Sequence, residues 1–181
     1  GTPIKKLTIK GYKSIRSLEN FELRPVNVLI GGNGAGKSNF IDFFRLLHEL
    51  VEQRLQFTIN EKGGADKHLF LGPKVTNELI GEIYFDRNGY KFELRPTVDN
   101  RFIFNKEETL FYGDYGRIEP SFGSGHFESK LNEARSGGVK KNIADHVYLA
   151  ISSWVIYHFH DTSDTAAMRR QETIRDDERL R

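Results

Sequence analysis

The stretch VNVLIGGNGAGKSNF, residues 26–40, constrains the fold more than any other part of the chain. NVLIG is an apolar, β-branched run that reads as a buried strand, with Pro25 just ahead of it, where a missing N–H is tolerated. Glycines follow, and from Lys37 the hydrophobic period changes. Phe40, Phe43, Phe44, Leu47, Leu50 and Val51 recur at helical spacing and predict an amphipathic helix ending near Leu55. Strand, glycine loop and helix in this order predict an α/β fold.

Gly31, Gly36, Lys37 and Ser38 satisfy G-x-x-x-x-G-K-[ST], the P-loop pattern. Its spacing has a physical reason. Glycines admit φ > 0 and let backbone N–H groups turn inward around a phosphate, at the positive end of the helix that follows. Lys37 is expected to reach the β and γ phosphates as a point charge, and Ser38 to ligate Mg²⁺. The nucleotide-binding set is thus Gly31, Asn33, Gly34, Ala35, Gly36, Lys37, Ser38 and Asn39, with ATP and Mg²⁺ as cofactors. The plain alternative is a glycine-rich turn carrying an exposed lysine.

Elsewhere the pattern is mostly β. Residues 4–10 alternate apolar and polar and predict a strand; 18–23 predict a second, joined to it by GYKSIRS. Residues 58–77, with two glycine turns, read as a mobile loop. ELIGEIYFD and YKFELRP flank Arg87-Asn88-Gly89 and predict a hairpin turning at Asn-Gly. RFIFNKE and TLFYGDY predict two more antiparallel strands. The glycine-rich segment 113–138 suggests at most a short helix around 126–135, and VKKNIADHVYLAISS a longer one. SWVIYHF reads as a strand, HDTSDT as turn and cap residues, and 169–181 as a solvated helix or frayed end.

Composition narrows the class. The 181 residues are 38% hydrophobic and 29% charged, enough for one domain with a core, here taken as a single unit 1–181. Within it, 4–57 carries strands, phosphate loop and first helix, 78–115 an antiparallel part, and 139–164 a helix and strand. The chain has no cysteine, which excludes disulfides and thiolate metal sites and favours a cytoplasmic setting. No apolar run nears the roughly 18 residues that span a bilayer, so no membrane partner is expected. A start at Gly1 without methionine reads as a trimmed end, and a formal charge of +2 names no partner by itself.

GGNGAGKSN resembles the phosphate loop of ABC-type ATPase heads in RecF, the SMC proteins and the overcoming-lysogenization-defect nucleases. The opening IKKLTIKGYKSI resembles their first strand, and that likeness brings Lys13 toward the nucleotide's phosphates; a solvated loop lysine is the alternative. WVIYHFHDTSD resembles a segment of bacterial RecF-like predicted ATPases that corresponds to the Q-loop. By that likeness His160 takes the place of the usual glutamine near the γ-phosphate and metal, with Asp161 beside it. The resemblance implies a P-loop NTPase lobe with a mixed core sheet and an adjoining antiparallel sheet.

Hydrolysis in such heads needs a signature motif, an apolar strand ending Asp-Glu, and a switch histidine. Neither Asp177-Glu178 nor FGSGH at 122–126 has the required context. The resemblance therefore covers an N-terminal lobe. It implies a C-terminal half carrying signature and Walker B, a homodimer in the full-length form, and a chain that alone turns ATP over poorly; catalytic residues are not assigned.

Three rivals remain at this level. A GTPase draws on Asp86-Arg87-Asn88-Gly89 and on Asn105-Lys106-Glu107-Glu108, but too few residues separate them for a crossover. A metal hydrolase draws on His158, His160 and Asp161, with His126 or His146 as further ligands. A nucleotide-switched module for DNA or a protein draws on Arg135, Lys140 and Lys141.

Overall fold

The computed structural model describes residues 2–24, 27, 29, 36–137 and 140–154, with the backbone alone at 140 and 141. Its frame is one sheet. β1 (Lys6–Tyr12), β2 (Ile15–Glu22), β3 (Leu79–Tyr84), β4 (Asn88–Pro96), β5 (Phe102–Gly113) and β6 (Gly116–Ile118) lie in the order β2-β1-β3-β4-β5-β6, and β7 (Ser121–Gly123) also pairs with β5. Every pairing among the described residues is antiparallel. The two sheets expected to stack side by side are therefore continuous, because β1 pairs directly with β3. The mixed core sheet that the resemblance implies is not seen among the described residues, and the strands expected at NVLIG and SWVIYHF lie largely outside them. Of NVLIG, Asn27 and Leu29 are described; neither is assigned to a strand, and Leu29 is 40% exposed.

Alternation along the strands decides which face is covered. Leu79, Gly81 and Ile83 on β3 and Tyr90, Phe92 and Leu94 on β4 are buried. Against them packs α1 (Lys37–Val51), through Phe43, Leu46, Leu47, Leu50 and Val51. Phe43 stacks on Phe92 with ring centroids 6.4 Å apart. Gly81 makes that approach feasible, since a Cβ there would lie 2.4 Å from the Phe92 ring. α4 (Lys140–Ser152) adds Ile143, Ala144, Val147, Ala150 and Ile151, again at helical spacing, to the same core.

Several boundaries differ from the sequence expectation. α1 stops at Val51 rather than near Leu55, because Gln53 adopts a left-handed φ of 58° and the Arg54 N–H bonds the Glu49 carbonyl at 2.8 Å. The apolar period runs on through the break because Leu55 and Ile59 belong to a separate helix, α2 (Leu55–Glu61). Both Glu128 carboxylate oxygens cap it, each 2.9 Å from the N–H of Leu55 or Gln56.

The segment 58–77, expected to be a mobile loop, is folded: it contains the last turn of α2, a turn of 3₁₀ helix at Ala65–Lys67, and buried Ala65, His68 and Leu69. The β3–β4 turn falls on Asp86 and Arg87, two residues before Asn88-Gly89, which are already paired in β4. The strands expected from RFIFNKE and TLFYGDY form the single β5, with a bulge opposite Glu93/Leu94. The short helix expected around 126–135 shrinks to α3 (Leu131–Ala134).

Candidate functional site

The helix start expected from the motif is where α1 begins. Gly36 is its N-cap residue, at φ 82° and ψ −1°, a left-handed conformation that side-chain-bearing residues adopt rarely. Lys37 and Ser38 are its first two residues, and the Phe40 N–H closes the first helical bond on the Gly36 carbonyl at 3.0 Å. Gly36 has no side chain with which to cap this end, and no acidic residue occupies the first turn. The N–H groups of a first turn have no partner within the helix, so this end favours an anion. Ser38 is exposed. Gly31, Asn33, Gly34 and Ala35 lie outside the described residues, as do His158, His160 and Asp161.

The turn between β1 and β2 sits against this helix start. The Ser14 Oγ accepts a 2.7 Å hydrogen bond from the Asn39 Nδ2, and a Cβ on Gly36 would lie 3.4 Å from the same oxygen. Lys13 has a left-handed φ of 47°, and its N–H donates to the His68 carbonyl at 2.9 Å. Its ammonium pairs with the Asp42 carboxylate on α1. Lys13, expected near phosphates, is thus brought to the right helix but engaged with an acid.

Asp42 is a site residue that the sequence reading missed. Besides Lys13 it accepts the Tyr12 hydroxyl at 2.9 Å and the Lys62 ammonium at 3.0 Å. Burial works to raise its carboxyl, but these donors, Lys13 first, outweigh it and hold it at about 2. Burial pushes the Tyr12 phenol up, and the Asp42 charge pushes it further the same way. His68, buried just behind, is depressed by that burial and by the positive charges of Lys13 and Lys62. One signal was available: Asn39 and Asp42 are three apart and share a helix face, and Asp42 is a lone charge inside FIDFF.

The residues of the rival readings are occupied elsewhere. His126 Nε2 lies 2.6 Å from the buried Glu107 carboxylate, which also takes hydrogen bonds from the Tyr90 hydroxyl, Ser129 Oγ and the Lys130 N–H. His146 is exposed. Among the described residues no group of three or more histidines and carboxylates has the arrangement of a metal site. Residues 105–108 lie inside β5, with Lys106 paired to Glu108 at 3.1 Å. Arg135 donates to Asp145 at 2.7 Å and lies 3.7 Å over the Tyr148 ring, so its charge is offset; the side chains of Lys140 and Lys141 are outside the described set. No described helix is long and apolar enough to cross a membrane.

Residues 26–162 match the family described as "AAA domain, putative AbiEii toxin, Type IV TA system". The chain belongs to this family. Its sequence is similar to the N-terminal region of SMC/RecF-like P-loop ATPases, and the family is one of ATP-binding ATPases. A similar curated protein is structural maintenance of chromosomes protein 3 from Arabidopsis thaliana, 34% identical over 108 residues. That match covers 58% of this chain and 8% of the relative, so the AAA-domain chain spans a small part of that protein's length. No solved structure matches it.

Proposed function

We propose that this AAA-domain chain binds ATP with Mg²⁺ at the start of α1, with Gly31, Asn33, Gly34, Ala35, Gly36, Lys37, Ser38 and Asn39 around the phosphates. The observation that carries the reading is the helix opening itself: Gly36 in a left-handed conformation, followed by Lys37 and Ser38, with no acid in the first turn. These residues fit the group. Backbone N–H groups and the Lys37 ammonium suit phosphate, and the exposed Ser38 hydroxyl suits a hard cation that keeps most of its waters. Mg²⁺ would supply charge neutralisation between the phosphates.

Hydrolysis requires groups from a second segment carrying signature and Walker B, brought in by a homodimer. His160, if it acts as the Q-loop residue, reports the γ-phosphate to that segment. A role in chromosome maintenance, DNA repair or phage defence follows as the setting, with DNA as a partner of the assembled protein rather than of this lobe alone.

Titration calorimetry with Mg²⁺-ATP tests the reading. Wild type is expected to bind, and Lys37→Ala to lose binding while keeping its circular dichroism spectrum. No affinity in wild type at millimolar ATP would overturn it. Robust magnesium-dependent turnover by the chain alone would overturn the need for a second segment.

A further inference from the structure

The Asp42 cluster has one acid and two bases. Lys13 and Lys62 both place their ammoniums on the Asp42 carboxylate, and Tyr12 adds a neutral donor. One positive charge is therefore in excess beside the start of α1. The direction of the Lys13 side chain matters as much as its partner. Its neighbour Ser14 sits level with Gly36 and Asn39, whereas Asp42 lies a further three residues along, about 4.5 Å by helical rise. The ammonium of Lys13 is thus held at the level of Asp42, beyond the first turn of α1 and away from the end where an anion is favoured.

We propose that Asp42 stores Lys13: the carboxylate holds its ammonium away from the N-terminus of α1 until the phosphates of a bound nucleoside triphosphate draw it off, and Lys62 remains as the counter-ion. This rests on the reading of α1 as the phosphate site. The exchange is a side-chain movement only. The Lys13 backbone is fixed by its bond to the His68 carbonyl, and a lysine stem is flexible enough to reverse direction. Lys13 is 22% exposed and Asp42 15%, so the pair is part-buried, and an Asp42 left alone would be costly. Lys62 and Tyr12 remove that cost, because the carboxylate keeps two donors after Lys13 departs. The storage also gives a reason for discrimination between nucleotides, since a triphosphate offers more charge to compete with Asp42 than a diphosphate.

The test is calorimetric titration of the chain with Mg²⁺-ATP and Mg²⁺-ADP, comparing wild type, Asp42→Asn, Lys62→Gln and the pair Lys13→Met with and without Asp42→Asn. Removing the competitor is expected to tighten ATP about fivefold and ADP less, because a larger fraction of the protein is then ready to bind. Lys62→Gln, at an exposed position, is expected to weaken ATP by a similar factor, since Asp42 then keeps Lys13. In the Lys13→Met background, Asp42→Asn should have no effect. A gain that survives Lys13→Met is plain repulsion by Asp42 and overturns the proposal. So does an Asp42→Asn protein that is folded and binds no tighter, or a Lys62→Gln protein that binds as wild type. Wild type with no ATP affinity removes the phosphate site itself and this exchange with it, whereas sound ATP binding sensitive to Lys37→Ala but indifferent to Asp42 removes the exchange alone.

Discussion

The Asn39 Nδ2 donates a 2.7 Å hydrogen bond to the Ser14 Oγ, so the turn that follows β1 is fastened to the first turn of α1. The two residues are 25 apart in sequence, and their contact joins the sheet to the helix that begins at Lys37. Because the bond is exposed, each of Ser14→Ala and Asn39→Ala is expected to cost about 0.5 kcal/mol in urea denaturation. In a double-mutant cycle the two losses should fall short of adding. Strict additivity would mean that the contact contributes nothing to holding the turn.

Glu107 is buried on β5 and serves four partners, three of them on the segment 126–130. The fourth, the Tyr90 hydroxyl, is raised by burial first and then by the Glu107 charge, and stays a donor. Removing the carboxylate strands these groups in a dry site. Glu107→Ala is expected to cost about 3 kcal/mol, and Glu107→Gln clearly less, by urea midpoints. The segment also carries Glu128, the cap of α2, so hydrogen exchange in α2 should quicken in the alanine variant.

What the sequence made legible follows residue chemistry. The start of α1 at Lys37 was readable because a P-loop demands glycine, lysine and serine at fixed positions, and those types have few other uses together. Its end was not, because Gln53 takes a left-handed turn that sequence rules assign to glycine or asparagine. The β3–β4 turn was misplaced by two residues for a related reason: Asn88-Gly89 is a strong turn signal, yet pairing with Tyr84 and Phe111 recruits both residues into the sheet. Asp42 stood out in the sequence only as a lone charge inside FIDFF; its role was not readable because its partners lie 30, 29 and 20 positions away, and only the folded hairpin and α2 gather them.

Gly81 has no side chain where Phe92 and Phe43 converge. An added methyl would meet the Phe92 ring at 2.4 Å and the Phe43 ring at 3.1 Å, with both rings locked in the core. Gly81→Ala is therefore expected to lose about 2 kcal/mol through overpacking, measured by urea or thermal unfolding. Combining it with Phe92→Leu should recover part of that loss. A neutral Gly81→Ala would show that the rings have room to shift.

Acid is expected to destabilise the protein in two steps, whose order follows from two groups. His68 is held below its ordinary 6.5 by burial, so the unfolded chain takes up a proton first and stability begins to fall as pH drops through about 6.5. Asp42 is held at about 2 against an ordinary 3.8, so its contribution is complete above pH 3.8 and is lost as pH falls from there toward 2. Urea unfolding across pH 7 to 2.5 separates the steps. His68→Asn should flatten the slope just below 6.5 while leaving the lower step, and Asp42→Asn should flatten the lower step, on the order of 1 kcal/mol after allowance for solvent screening, while leaving the upper. Two slopes that survive both substitutions would assign the acid sensitivity to other groups and release Asp42 from its place as the paired acid of the cluster.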